Sequence, residues 1–505
     1  MRAWPVPAKS TGVARHSVVY IAASILQKLS SLILLPVYTR LLTPEDYGYF
    51  NLVVTFLMFA GAFATLGLEY AVVRYCHPSL SDDVEDRQGE HWSNPQGRYF
   101  TATYVAVVAA SAFVVVLLVL TGPFYSPLVF PGFDFIPIVL IALISLLFQP
   151  LTTVFLALLQ ARSMARPYGI YSLTLFLSNA ALTVALLGPL GLGLLGVVIS
   201  LVVVNALFAL MATLKAHRMG LLGVRFGVED LRRVLRYSLP MLPHTLTLQA
   251  TSLGARVIVS NIISVAAAGI FNIAMYAVNF IDAVQTALHR AFIPWYFSQA
   301  ERKPSGWRTD VRDAISAFVA TSVAVAASVA LFASELLAVA TPPAFHDAAS
   351  VVPMLALSMM VKSVYYPSLS TLLYHERGTR AVLLISGSAS LVSIPLAIAG
   401  AIWWGLTGVA VAQVIQRLMM SAMAVSFSRR IDNPGIPWAR VLRLQFGGLV
   451  VIAIVVAGDQ ALWWGLGAVP VMIAKLTGWI FLIVYLFFCD PNLIKAVRRV
   501  LTRGR

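Results

Sequence analysis

Apolar residues fill this chain in long runs, and polar residues gather in the short gaps between them. A helix that crosses a bilayer needs ~20 consecutive, mostly apolar residues. Runs of that kind recur at 17–38, 47–68, 99–121, 136–158, 168–188, 191–214, 237–262, 269–290, 313–334, 351–372, 381–401, 405–427, 444–464 and 466–488. The pattern predicts an all-α integral membrane protein with about 14 transmembrane helices. No long polar stretch interrupts the series, so no separate soluble domain is expected.

The runs also repeat. Tyr47-Gly48-Tyr49-Phe50-Asn51-Leu52 opens the second run, and Ala268-Gly269-Ile270-Phe271-Asn272-Ile273 opens the eighth. Gly193-Leu194-Leu195-Gly196-Val197 in the sixth returns as Gly405-Leu406-Thr407-Gly408-Val409 in the twelfth. The fourth carries Pro150 and ends in Leu159-Gln160-Ala161-Arg162; the tenth carries Pro367 and ends in Tyr374-His375-Glu376-Arg377. Three matches in one order, at nearly one offset, predict two six-helix halves of the same orientation followed by two extra helices. Parallel repeats with a site between them are a transporter architecture. The expected organisation is a tail at 1–16, a first bundle at 17–214, a basic linker at 215–236, a second bundle at 237–427, a loop at 428–443, two further helices at 444–488 and a basic tail at 489–505.

Composition agrees: 59% of residues are hydrophobic and 11% charged, against about a quarter charged in a soluble domain. The net charge of +15 could suggest nucleic acid, but its distribution does not. With the N-terminus inside, the inward segments collect the loop arginines and lysines, and the outward loops hold only Arg40. The positive-inside rule then puts both termini in the cytoplasm. The basic N-terminal stretch precedes an apolar run of full length without a small-residue cleavage site, so a retained first helix is expected. Cys76 and Cys489 both fall on the cytoplasmic side, where a disulfide is not expected.

Polar residues inside the runs are where chemistry would lie. In the seventh, Thr245, Gln249, Ser252 and Arg256 share one helical stripe, and such a stripe lines a wet cavity or packs on polar neighbours. Lys28, Lys362 and Arg417 are further cations within runs; Lys28 has Gln27 beside it. At ~2.5–3.5 kcal/mol each at mid-membrane, the four together cost on the order of 10–14 kcal/mol. Asp282 is the single deep carboxylate, with Glu69 and Glu335 nearer run ends. An excess of buried cations suggests a cavity for an anion; the plainer reading is that each snorkels or pairs privately. Lys475, in an appended helix, suits a structural or lipid-interface role. The eighth run adds Asn272, Tyr276, Asn279, Thr286 and Arg290 on one stripe, with Asp282 at its edge. Asp282 is a candidate for proton or sodium coupling, and equally for a fixed counter-ion of Arg256 or Arg290. The acidic inward segment with His77, His91, Asp82, Asp83, Glu85, Asp86 and Glu90 has no recognisable metal-ligand spacing and reads as solvated. No phosphate-binding loop, catalytic triad or cofactor fingerprint stands out. The chain reads as a non-enzyme that requires no cofactor or metal.

The stretch LQKLSSLILLPVYTRLLTPEDYGYFNLVVTF at 26–56, with YSLPMLPHTL at 237–246 and AAAGIFNIAMYA at 266–277, resembles the polysaccharide or O-antigen flippases of the multidrug/oligosaccharidyl-lipid/polysaccharide exporter superfamily. The resemblance implies paired six-helix bundles that alternate between inward- and outward-open states. The implied substrate is a polyprenyl-pyrophosphate-linked oligosaccharide moved from the inner to the outer leaflet. It also implies basic lumenal residues facing the pyrophosphate, here Lys28 and Arg256 first, then Lys362 and Arg417. By resemblance, membrane lipid surrounds the protein, and a polysaccharide polymerase and glycosyltransferases are its working partners. An acidic residue common near the place of Arg256 in that family is missing. Other readings stay open at this level. A multidrug antiporter would want lumenal carboxylates; a polymerase or ligase would want a large outward loop; an uncoupled scramblase-like or structural protein would need neither.

Overall fold

The computed structural model describes residues 34–77, 94–132, 135–375, 378–433, 435–458 and 468–490. Every regular element among the described residues is helical. In chain order these are α1 (Pro44–Thr65), α2 (Leu68–Tyr75), α3 (Pro95–Val129), α4 (Leu140–Ile144), α5 (Gln149–Ala161), α6 (Ala165–Leu187), α7 (Gly193–Arg218), α8 (Val228–Ser238) and α9 (Leu242–Ile262). They continue with α10 (Val265–Arg302), α11 (Trp307–Leu331), α12 (Ala333–Ala340), α13 (Ala348–Lys362), α14 (Tyr365–Tyr374), α15 (Gly378–Ile431), α16 (Trp438–Ala457) and α17 (Ala468–Cys489). Residues 34–41 are helical as well, closing the first expected run.

Eleven stretches among the described residues are long and apolar enough to cross a membrane. The expected count is higher for physical reasons. Leu384–Ile431 counts once but holds two runs, joined at Gly405 with φ 58° and ψ −137°. The polar stripe of α9 keeps that helix out of the apolar set, and most of the run at 17–38 lies outside the described residues. Much of the apolar surface faces outward: Phe124, Trp403 and Phe488 are 86%, 71% and 85% exposed. Lipid is the solvent that accepts such surface.

The described chain clusters into two compact units, one built around Tyr49–Val257 and the other from Ile258 onward, with Thr43–Gly48 grouped with the second. The first unit packs around Phe155, Leu158, Tyr171, Phe208 and Ala212. There Tyr171 donates its hydroxyl to the Phe208 carbonyl at 2.8 Å. The second packs around Phe318, Tyr366, Leu372, Ile385 and Ala424.

The repeat has a backbone counterpart. Gly193 and Gly405 both take positive φ, 52° and 58°, where an L-residue is strained. Their i+3 partners, Gly196 and Gly408, are tightly packed: a Cβ would stand 3.0 Å from the Leu186 Cβ at Gly196 and collide at 2.0 Å with the Gly400 carbonyl oxygen at Gly408. The fourth and tenth runs also break at matched places. The first is interrupted between α4 and α5, just before Pro150; the second at Ser363–Val364 between α13 and α14, just before Pro367. Proline lacks an N–H and is best tolerated near a helix start, so each half-helix begins beside one.

Candidate functional site

The break between α13 and α14 builds the site of the second unit. Lys362 is the last residue of α13, and Tyr365 and Tyr366 open α14. The negative end of the α13 dipole favours a cation there. Across from it, α10 supplies Asp282, which accepts a hydrogen bond from Lys362 Nζ at 2.6 Å and another from Tyr366 OH at 3.1 Å. The ammonium also stands 5.0 Å from the centre of the Tyr366 ring. The side chains of Lys362 and Asp282 are 11% and 24% exposed.

The α10–α13–α14 seam continues as a ladder of polar pairs. Gln285 donates to the Met359 carbonyl at 2.8 Å. His289 Nε2 meets Ser370 Oγ at 3.0 Å, and Tyr296 OH meets Thr371 Oγ1 at 3.0 Å. These groups are buried, so satisfying them in pairs is what makes the seam tolerable in an apolar unit. In α15, Ser421 donates to the Val361 carbonyl at 3.1 Å. That bond holds the helix against α13, and Arg417 lies one turn earlier in the same helix.

Arg417 is the uncompensated member. Among the described residues its guanidinium makes one contact, an N–H donated to Met420 Sδ at 3.7 Å. Its Nε is buried without a hydrogen-bond partner. Lys362 is paired with Asp282, and Arg417 leaves a positive charge over in the second unit.

In the first unit the expected stripe of α9 forms. Arg256 Nη1 donates to the Ser252 carbonyl at 2.9 Å and to Ser252 Oγ at 2.7 Å. Gln249 and Thr245 are half-buried on the same face. Lys28 and Gln27 lie outside the described residues, as does the acidic segment from Asp82 to His91.

Several expectations change. Two of the cations within runs pair with carboxylates, Lys362 with Asp282 and Lys475 with Glu335 at 2.7 Å. Asp282 pairs with Lys362, and Arg290 is exposed. The residues of the eighth-run stripe differ in burial. Asn272 is fully buried, Tyr276 is half-buried and Asn279 is exposed. The residues that meet α14 are Asp282, Thr286, His289 and Tyr296, at i, i+4, i+7 and i+14, while Gln285 meets α13. That spacing was available as a signal, but the neighbouring stripe of asparagines outweighed it. Lys475 is buried at 3% exposure and fixes α17 to α12, while Trp479 Nε1 donates to Ser328 Oγ of α11 at 2.8 Å.

With this geometry in hand, comparison with known proteins is informative. A family model described as polysaccharide biosynthesis protein matches residues 13–301. Sequence comparison with curated proteins finds no match. Among solved structures, lipid II flippase MurJ in an inward closed conformation is similar, with a TM-score of 0.68 at 14% identity over 95% of this chain and 100% of that one. An inward-facing multidrug resistance MATE family transporter of the MOP superfamily is similar at a TM-score of 0.59 and 14% identity, over 85% of this chain and 98% of that one. The outward-facing conformation of a MATE transporter of the same superfamily gives 0.54 at 15% identity, over 83% and 94%. At such identity the likeness is one of fold. The family match spans more than half of the chain, and the chain therefore belongs to the polysaccharide biosynthesis protein family, on the multi-pass membrane fold of MurJ and the MATE transporters.

Proposed function

We propose that the protein is a flippase that carries a polyprenyl-pyrophosphate-linked oligosaccharide from the inner to the outer leaflet of the bacterial cytoplasmic membrane, by alternating access, for surface polysaccharide synthesis. The observation that carries this reading is Arg417: a guanidinium inside an apolar unit, without a carboxylate among the described residues. Hydrocarbon rejects a pyrophosphate, and fixed cations in a hydrated groove lower that barrier. Arg256 on the polar stripe of α9 and Lys28 are further cations that meet the pyrophosphate, and Gln27, Gln249, Ser252, Asn272, Tyr276 and Asn279 are polar residues that meet the cargo on its way. Lys362 contributes through its pair with Asp282, and ion coupling, where it operates, acts on that pair. Both termini are cytoplasmic. A polymerase and glycosyltransferases handle the same glycan before and after it crosses.

The MATE likeness favours export of small molecules as a second reading, and the surplus positive charge counts against organic cations as cargo. Where lipid-linked oligosaccharide accumulates decides between them. Cells lacking the protein should hold it on the cytoplasmic leaflet and lose surface polymer. Arg256→Ala and Arg417→Ala should reproduce that block with normal protein levels, and Arg417→Lys should be milder. Full polymer export by both alanine variants would end the anion-groove reading. Single repeat units on the outer leaflet of the deletion strain would point to a polymerase.

A further inference from the structure

The stretch between α7 and α9, expected as a linker, contains the amphipathic helix α8, and its two faces have different fates. One face is committed to α3. Asp230, 5% exposed, accepts from the Gly227 N–H at 2.8 Å and receives the Arg98 guanidinium at 3.0 Å. Arg233 donates to Tyr99 OH at 2.6 Å, and Val234 and Ser238 are fully buried. The loop before α8 is pinned too: Thr101 Oγ1 donates to the Leu221 carbonyl at 3.0 Å and Asn94 Nδ2 to the Gly220 carbonyl at 2.7 Å.

On the opposite side Leu231 and Leu235 are half-buried and touch the edge of the first unit's core, whereas Val228, Arg232, Arg236 and Leu239 are exposed. Val228, Arg232, Leu235 and Leu239 fall within one narrow sector at helical spacing, flanked by Leu231 on one side and Arg236 on the other. Val228 is 83% and Leu239 43% exposed. Together with Leu231, Arg232, Leu235 and Arg236 they line an open surface groove. Arg232 and Arg236 form no hydrogen bond or ion pair with any described residue, although Arg98 and Arg233 nearby are fully used. Glu229, at the edge beyond Arg236, is the single carboxylate of this face.

An apolar stripe bordered by free arginines, on a short helix whose overall composition is polar, is the pattern of a helix lying in the membrane interface. Its position agrees: α8 follows the basic end of the membrane-spanning α7, with Lys215 and Arg218, and precedes α9. We propose that the outer face of α8 is a binding site for anionic phospholipid, the acyl chains lying on Val228, Leu231, Leu235 and Leu239 and the phosphate held by Arg232 and Arg236. This goes beyond transport of the glycan and involves none of the groove residues. Each arginine near an anionic surface is worth about fivefold in affinity, so the pair should supply roughly thirtyfold.

The test places an environment-sensitive fluorophore on Val228→Cys, in a C489S background, in nanodiscs doped with spin-labelled phosphatidylglycerol or phosphatidylcholine. Phosphatidylglycerol should quench preferentially, and R232Q/R236Q should abolish the preference while leaving the folded protein monodisperse. Equal quenching by both lipids overturns the proposal, as does a preference that survives the double variant. A label that neither lipid quenches, but that responds when Asp82, Asp83, Glu85, Asp86 and Glu90 are neutralised, would assign the face instead to that acidic stretch of the same chain and likewise overturn it.

Discussion

Consider replacing Lys362 with methionine, which keeps the length of the side chain and removes its charge. Asp282 then keeps its position, 24% exposed, with the Tyr366 hydroxyl 3.1 Å away but without the ammonium that stood at 2.6 Å. Breaking a buried ion pair from one side costs about 3–5 kcal/mol, because the remaining carboxylate loses the ammonium it was desolvated against. Asp282→Asn should be milder. The ammonium it leaves behind still sits at the C-terminal end of α13, where the helix dipole returns ~0.3–1 kcal/mol, and over the face of the Tyr366 ring. The double variant removes both charges and should recover most of the loss, since an apolar replacement of a buried pair is often neutral. Denaturant unfolding of the detergent-solubilised protein, followed by size-exclusion elution of the surviving folded fraction, measures all three. A large positive coupling between the two substitutions is expected. Simple additivity, or a Lys362→Met protein as stable as the parent, would refute the view that this pair holds the break between α13 and α14 together.

Gly405→Ala should cost ~1–3 kcal/mol, because φ 58° with ψ −137° is open almost only to glycine. Gly387→Ala, in the same helix with open space around its Cβ, should be neutral or stabilising; equal effects of the two would mean that the kink is not set by Gly405. Just after α2, burial pushes the Cys76 thiol up to about 12, so it stays protonated throughout the neutral and mildly alkaline range. In a C489S background, maleimide should leave the folded protein unlabelled at pH 8 and react once it is denatured. Labelling of the folded protein at the rate of a free thiol would contradict that burial.

Most of the membrane architecture was legible because bilayer thickness imposes one length on every span, and a run of that length needs no tertiary information to be read. The repeat was legible for a similar reason. Gly193 and Gly405 answer a backbone demand, and Pro150 and Pro367 mark a helix start, so residue identity itself carries the geometry. Pairing was not legible. Lys362 and Asp282 are 80 residues apart, and nothing local indicates that α10 delivers its carboxylate to the end of α13. Arg417 and Lys362 looked alike as isolated cations, and only packing makes one a pair member and the other a surplus charge. The helix α8 was hidden differently. Its arginines were read as topology signals, which diverted attention from the 3.6-residue spacing of Val228, Leu231, Leu235 and Leu239.

The bond between Lys475 and Glu335 has a consequence for how the protein is made. The two residues are separated by 140 positions, so α12 leaves the ribosome long before the helix that neutralises its carboxylate. At ~5–20 residues per second that interval is on the order of ten seconds. During it Glu335 sits near the edge of a membrane span without its cation, and one of its oxygens lacks a hydrogen-bond partner even in the finished fold. The carboxylate of the Ala333–Ala340 segment is therefore neutralised late. A nascent chain halted before α17 would display that unneutralised carboxylate, a feature by which the cell's membrane quality control could tell an unfinished molecule from a complete one.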